Sequence, residues 1–396
     1  MKLLSVMVIF SMLIAKGASM KSLFGLILTS LFFFSCSSVI KKTQRYDVDK
    51  KTVGLLPTEK EPELRKVAEF RGLQVTGVTV APDGRMFANF PRWRKNLPFS
   101  VVELTPDGNY TPYPNKEWNH WNGRPEKHKF TCVQSVIAHG NSLFVLDPAS
   151  PNMEGVVGRP MLYEFDLTTN KLAHSWSFDS SVAPKKSYLN DVRIDDAANK
   201  AYITDSGLGG IVVLDMGSGS ALRVLDHHPS TKSESVVLTV EKKPFLVKGA
   251  APKIHSDGIA LDPDQNRLFW HALTGYHLYS IPTVLLHGEI DEAKLEEKIS
   301  NMGVTPAPDG MIFDKNGNLY MADLERNAVS YRTPSGEMKI LIQDERIKWA
   351  DSFTIDQDNN LIFTDSLLQQ TPIGESVDNL TFTIYKVSLP TEREEL

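Results

Sequence analysis

The stretch LNDVRIDDAANKAYITDSG, residues 189–207, decides the fold. A polar pair, Asn190 and Asp191, opens an alternating run; Asp195 to Asn199 forms a turn; a second alternating run ends at Asp205. Alternation places successive side chains on opposite faces of a strand, so the stretch predicts an antiparallel hairpin. The pattern recurs as SDGIALDPDQNRLFWHALTG (256–275), PDGMIFDKNGNLYMADLERN (308–327) and ADSFTIDQDNNLIFTDSLLQ (350–369). Looser copies are TGVTVAPDGRMFANFPR (76–92) and QSVIAHGNSLFVLDPAS (134–150). Six copies of one hairpin predict a repeat architecture.

Aligned on the residue four places before the last apolar position of the first strand, the copies give Thr76, Gln134, Asn190, Asp257, Asp309 and Asp351, at spacings of 42 to 67 residues. That period suits a four-stranded antiparallel blade. Further alternating pairs follow the hairpins at 99–114, 161–179, 210–228, 276–286 and 327–343. The sixth hairpin is followed by one clear strand, residues 382–389, so RKVAEF (65–70) is expected to complete that blade. The expected fold is all-β: a six-bladed β-propeller whose ring is closed by an N-terminal strand. A single helix is expected at 291–299, as an insertion riding on a blade.

Composition sets limits. With 41% apolar and 23% charged residues the chain can build a large core, and a net charge of −5 argues against a nucleic-acid partner, which requires a basic face. The two cysteines, Cys36 and Cys132, cannot form a disulfide scaffold, and Cys132 reads as a small buried hydrophobe. From Met20, taken as the true start, one Lys precedes an apolar run (Leu23 to Phe34) and then Ser35-Cys36. This is the layout of a secretory signal of lipoprotein type, with Cys36 the lipidated residue. The expected organisation is a leader over 1–36, a flexible tether over 37–62 and a propeller over 63–396. A monomer secreted across an inner membrane is expected, held to the envelope by its lipid or released outside the cell.

Residues 87–104, 188–206, 257–286 and 349–369 resemble the Yellow/major royal jelly protein family, in order and over nearly the whole mature chain. That resemblance implies a six-bladed propeller, secretion and the binding of small amines. The chain departs from the insect pattern in lacking its paired cysteines. A more distant resemblance is to gluconolactonase and regucalcin-like propellers, which implies a divalent metal in the central channel. Asn190, Asp257 and Asp309 stand at the corresponding strand starts, whereas Thr76 stands where that family has Glu.

In a propeller the innermost strands line the channel, so Thr76, Gln134, Asn190, Asp257, Asp309 and Asp351 are expected to form one ring of oxygen-bearing side chains at a mouth. Three carboxylates together require a hard cation such as calcium, a cationic ligand, or a raised pKa. Equally, Asp before Gly caps strand ends through backbone N–H groups. His255, two residues before Asp257, is a candidate proton shuttle if both face one side of the strand. Trp93, Trp118, Trp121, Tyr110 and Tyr113 either roof a pocket or pack between blades. No nucleophile elbow, phosphate loop or dinucleotide fingerprint is present in the sequence. Three functions remain: capture of a small amine or aromatic ligand, metal-dependent lactone hydrolysis or isomerisation, and an envelope scaffold.

Overall fold

The computed structural model of the chain describes residues 62–390. The leader, Cys36 and the tether up to residue 61 lie outside the described residues. The body holds six four-stranded antiparallel sheets. A strand at the start, β1 (Arg65–Arg71), is followed by blade one: β2 (Gly77–Val80), β3 (Met86–Asn89), β4 (Val101–Leu104) and β5 (Tyr110–Pro112). Blade two is β6 (Ser135–His139), β7 (Ser142–Asp147), β8 (Met161–Asp166) and β9 (Lys171–Ser177). Blade three is β10 (Leu189–Asp195), β11 (Lys200–Asp205), β12 (Ile211–Asp215) and β13 (Ala221–Val224). A two-stranded excursion, β14 (Thr239–Val240) and β15 (Lys243–Pro244), separates it from blade four: β16 (Ser256–Leu261), β17 (Arg267–Ala272), β18 (His277–Pro282) and β19 (Ser300–Val304). Blade five is β20 (Met311–Phe313), β21 (Leu319–Asp323), β22 (Ala328–Arg332) and β23 (Met338–Gln343). The last sheet runs β1, then β26 (Thr381–Ser388), β25 (Asn360–Asp365) and β24 (Ala350–Ile355).

The first strands of the blades touch in the cyclic order β2, β6, β10, β16, β20, β24 and back to β2, which is the ring of a propeller. The ring closes as the sequence predicts. Strand β1 pairs antiparallel with β26, placing Arg65 opposite Lys386 and Phe70 opposite Phe382. Phe70 is 1% exposed and meets Phe90 of blade one edge-on at 5.0 Å, so the closing strand also ties the last blade to the first.

The inner hairpins form for local reasons. Each carries one turn residue of positive φ: Gly84, Gly140, Asn199, Gln265, Gly317 and Asn359. An Asp at the end of the inner strand holds several of these turns; Asp195 accepts from Ala198 N–H at 2.9 Å and Asp356 from Asn360 N–H at 2.8 Å. Between blades, apolar faces stack into continuous cores, such as Phe144, Leu162, Val192 and Ile203 between blades two and three.

Three details differ from the sequence reading. The helix is α2 (Glu292–Lys298), capped by Asp291 and anchored by buried Leu295, but a second short helix, α1 (Lys116–Asn119), precedes it. Asn115 caps α1 by accepting from Trp118 N–H. Residues Thr283–Leu286 form a 3₁₀ turn rather than prolonging β18, because the strand ends in Pro282, which leaves no N–H to continue a ladder. The fourth strand of blade four, SNMGV, is half-exposed and carries little alternation, so the sequence does not announce it.

Candidate functional site

Thr76, Gln134, Asn190, Asp257, Asp309 and Asp351, one from the start of each blade, line a single cavity of ≈ 20 Å³. Ser135, Asp191, Gly310 and Ser352 complete its lining. That volume holds about one or two water-sized species. His255 is not part of the lining: its Nδ1 accepts the Ser233 N–H at 2.9 Å, outside the ring.

The strands converge here because glycine allows it. A Cβ on Gly258 would lie 2.6 Å from the Asp309 carbonyl oxygen, and one on Gly310 would lie 1.8 Å from that of Asp351. Glycine after the aspartate therefore lets the next inner strand approach, which brings Asp257, Asp309 and Asp351 together. The strand starts are also irregular. Register shifts fall between Leu189 and Val192 in β10 and between Ala350 and Phe353 in β24. A bulge turns two successive residues to one side, so Asp191 joins Asn190, and Ser352 joins Asp351, in the lining.

A directional chain of hydrogen bonds runs around half the ring. Trp93 Nε1 donates to Tyr188 Oη (2.7 Å), Tyr188 Oη to Gln134 Oε1 (2.7 Å), Gln134 Nε2 to Asn190 Oδ1 (3.1 Å) and Asn190 Nδ2 to Asp257 Oδ2 (2.7 Å). Indole N–H can only donate, so Tyr188 must pass its own proton onward, and both amides are fixed in orientation by that first donor. The second proton of Asn190 Nδ2 goes to Ser206 Oγ at 3.0 Å. From the other side, Trp349 Nε1 donates to Asp309 Oδ2 at 2.5 Å.

Between those two ends, the carboxyls of Asp257 and Asp309 lie side by side in the lining, each acting on the ionisation of the other. Two buried carboxyls this close disfavour joint ionisation. Burial, reinforced by the charges of Asp309, Asp351 and Asp191, holds the Asp257 carboxyl well above the usual range. Burial raises Asp309 to about 7, against the opposing pull of the Trp349 and Asp257 hydrogen bonds. Asp351 is likewise pushed well up by burial and then by Asp309. Asp191 is the fourth carboxylate; Arg193 Nη1 pairs with it at 3.0 Å, and Ser135 Oγ donates to it at 2.6 Å. The mouth thus carries more acid than the single guanidinium can balance.

Strand capping is done by other residues. Asp147 accepts the N–H groups of Thr131, Cys132 and Ala149; Asp205 those of Tyr188, Gly207 and Leu208; Asp365 those of Lys348 and Trp349. These are the last residues of the second strands, and they tie down the segment entering the inner strand. Among the described residues, no backbone N–H donates to the carboxylates of Asp257, Asp309 or Asp351. The capping explanation therefore does not account for these three.

The donor set suits a hard cation, all oxygen and mostly anionic. Its present arrangement does not suit a bound metal. Asn190 turns its carbonyl oxygen to Gln134 and its N–H groups to Asp257 and Ser206, so it offers no free oxygen to a cation. Thr76 Oγ1, at the position of the missing Glu, accepts from Asn89 Nδ2 at 3.1 Å. Among the described residues no three His, Cys, Asp or Glu side chains form a metal-holding group.

The aromatics divide. Trp118 packs on Phe130, Tyr163 and Phe165, Tyr113 on Phe87, and Tyr110 on Phe70 and Phe99, all as inter-blade core. Trp121 lies under the Arg92 guanidinium at 5.3 Å. Of these five, Trp93 alone joins the hydrogen-bond chain to the mouth, packed with Tyr188, Cys132 and Leu368. Burial pushes the Cys132 thiol up to about 12, consistent with a packing role.

Residues 133–390 match the sequence profile of the major royal jelly proteins. The chain belongs to that family. It is 23% identical over 218 residues to major royal jelly protein 3 of Apis mellifera, an alignment covering 53% of this chain and 39% of the bee protein, so the chain spans well under half the length of that relative. Among solved structures, the family member is similar to a luciferin-regenerating enzyme (TM-score 0.53, 12% identity, covering 83% of this chain and 95% of that one). It is also similar to a gluconolactonase from Xanthomonas campestris (TM-score 0.52, 12% identity, 83% and 90% covered). At such identities the likeness establishes the shared propeller fold.

Proposed function

We propose that this propeller is a binding protein whose mouth captures a compact cationic group, the ammonium head of a small amine, in exchange for the proton shared by Asp257 and Asp309. The observation that carries the reading is the pairing of those two buried carboxyls beside Asp351 and Asp191, without the backbone contacts that would make them caps. A cavity of ≈ 20 Å³ is far below the roughly 300 Å³ of pockets that enclose whole small molecules, so it takes a head group while the remainder of the ligand lies outside. No aromatic side chain lines it, which favours recognition by charge and hydrogen bonds over stacking.

The same side chains support a second reading, metal-dependent hydrolysis of a lactone, because Asn190, Asp257 and Asp309 are contiguous. It asks Asn190 to reverse its amide against the order imposed from Trp93. Calorimetry with a panel of primary amines and with Ca²⁺, each with and without EDTA, separates the two. Amine binding untouched by EDTA supports capture; lactone turnover abolished by EDTA and by Asp257→Ala supports the hydrolase. Neither result would leave an envelope scaffold.

Secretion and lipid anchoring belong to the same proposal and rest on the apolar run Leu23 to Phe34 followed by Cys36. Mass spectrometry of the mature N-terminus tests them, and an unmodified Cys36 would end the anchoring claim.

A further inference from the structure

The two-stranded excursion between blades three and four belongs to no blade, and its composition differs from the rest of the surface. Residues 235–253 hold four lysines (Lys242, Lys243, Lys248, Lys253) and one acid, Glu241. Glu241 is already engaged, paired with Lys348 Nζ at 2.7 Å and accepting from Gln369 and Gln370. None of the four lysines is ion-paired among the described residues, and all four are exposed. Of the seven exposed large hydrophobics among the described residues, three sit on this excursion: Val237 (48%), Leu246 (47%) and Val247 (48%).

The excursion is nonetheless rigidly mounted. Thr239 pairs with Pro244 and Val240 with Lys243; Phe245 N–H donates to Leu238 O at 2.8 Å; Thr239 N–H donates to Glu325 at 2.7 Å. Leu238, Val240 and Phe245 are buried in the core that includes Leu273, Leu324 and Trp349. Two tight turns project the lysines: Glu241 and Lys242 have φ of 49° and 64°, and Lys248 and Gly249 of 51° and 81°. Three non-glycine residues in the left-handed region are held there by the anchored strands between them. The result is a fixed basic hairpin with an aliphatic tip.

We infer that the Lys242–Lys253 hairpin docks on an anionic lipid bilayer, its lysines against phosphate headgroups and Leu246 and Val247 at the acyl boundary. Charge complementarity is the first argument: juxtamembrane lysines bind acidic leaflets without needing shaped pockets, and exposed aliphatic side chains add shallow insertion. The choice of a bilayer over a protein partner rests on composition. Protein interfaces are depleted in Lys and centre on Trp, Tyr or Arg anchors, and the exposed part of the hairpin has none of these. Docking would also bring lipid beside the mouth, because Phe245 packs on Trp349 at 4.9 Å and Trp349 holds Asp309.

The ring closes with β1, which begins at Arg65, so all six four-stranded blades are assembled from strands that follow residue 61. The body lacking its first 61 residues is the one to test, since it removes the apolar leader. Co-sedimentation with phosphatidylcholine vesicles, with and without about 30 mol % phosphatidylglycerol, should show binding only to the acidic ones, lost at high salt. The triple change Lys242→Gln, Lys243→Gln, Lys248→Gln should weaken partitioning roughly a hundredfold, and Leu246→Ser with Val247→Ser should weaken it about tenfold while leaving the salt dependence. Millimolar inorganic phosphate should not compete, which separates a bilayer surface from a free phosphate site. Absence of vesicle binding, binding indifferent to these changes, or hairpin-dependent self-association instead of vesicle binding would overturn the inference.

Discussion

Asn190 Nδ2 donates to Asp257 Oδ2 at 2.7 Å, and the direction of that bond is fixed by Trp93, three hydrogen bonds away. Side chains from three successive blades are thereby locked so that an amide proton, not an amide oxygen, faces the acidic pair. Trp93→Phe removes the one obligate donor and leaves Tyr188 able to reverse. We expect a loss of about 1–2 kcal/mol in stability and weaker amine binding. Denaturant titration and calorimetry check both, and unchanged affinity would show that the chain does not order the mouth.

Trp349 acts on the acidic pair from the opposite side. Its hydrogen bond lowers the pKa of Asp309, so Trp349→Phe should raise it further above about 7. The pH at which cation binding is half-maximal should then move upward, read by titrating the variant and wild type between pH 5 and 9.

The buried carboxyls also make stability depend on pH. Asp257, Asp309 and Asp351 have folded-state pKa values above those of the unfolded chain, so the folded state retains protons the unfolded state has released. Their contribution falls as pH rises from the ordinary carboxylate range through about 7. Asp351→Asn cannot acquire charge. Its melting temperature should match wild type near pH 4 and exceed it by about 2–5 °C at pH 8, in the absence of ligand.

Ring closure gives a prediction independent of the site. Phe70 is almost wholly buried where β1 meets blade one, and Phe70→Ala should cost about 3–5 kcal/mol. Removing residues 65–71 altogether leaves the β26 edge unpaired, so aggregation of the truncated body is the expected outcome on size-exclusion chromatography.

The repeat was legible because alternation and turn residues are local properties. Asn199 and Asp195 specify one hairpin without reference to the rest of the chain, and six such statements imply a ring. The six strand-start residues were legible for the same reason. Asp191 and Ser352 were not, since strict alternation sends them to the opposite face and only the bulges return them to the cavity. The same alternation placed His255 beside Asp257, whereas its bond to Ser233 holds it elsewhere. Sequence could not separate capping aspartates from lining ones; the distinction depends on Asp147, Asp205 and Asp365 receiving backbone N–H groups from segments 15 to 17 residues away. The relay from Trp93 to Asn190 joins residues 54 and 95 positions apart, which no local pattern encodes.

The central claim is that the mouth exchanges a proton for a cation. Calorimetric titration of a primary amine at pH 6, in two buffers of different ionisation enthalpy, counts the protons released. The account predicts release approaching one proton per amine bound, abolished by Asp257→Asn. Amine binding without proton release would contradict it, as would no binding to the folded protein at any pH.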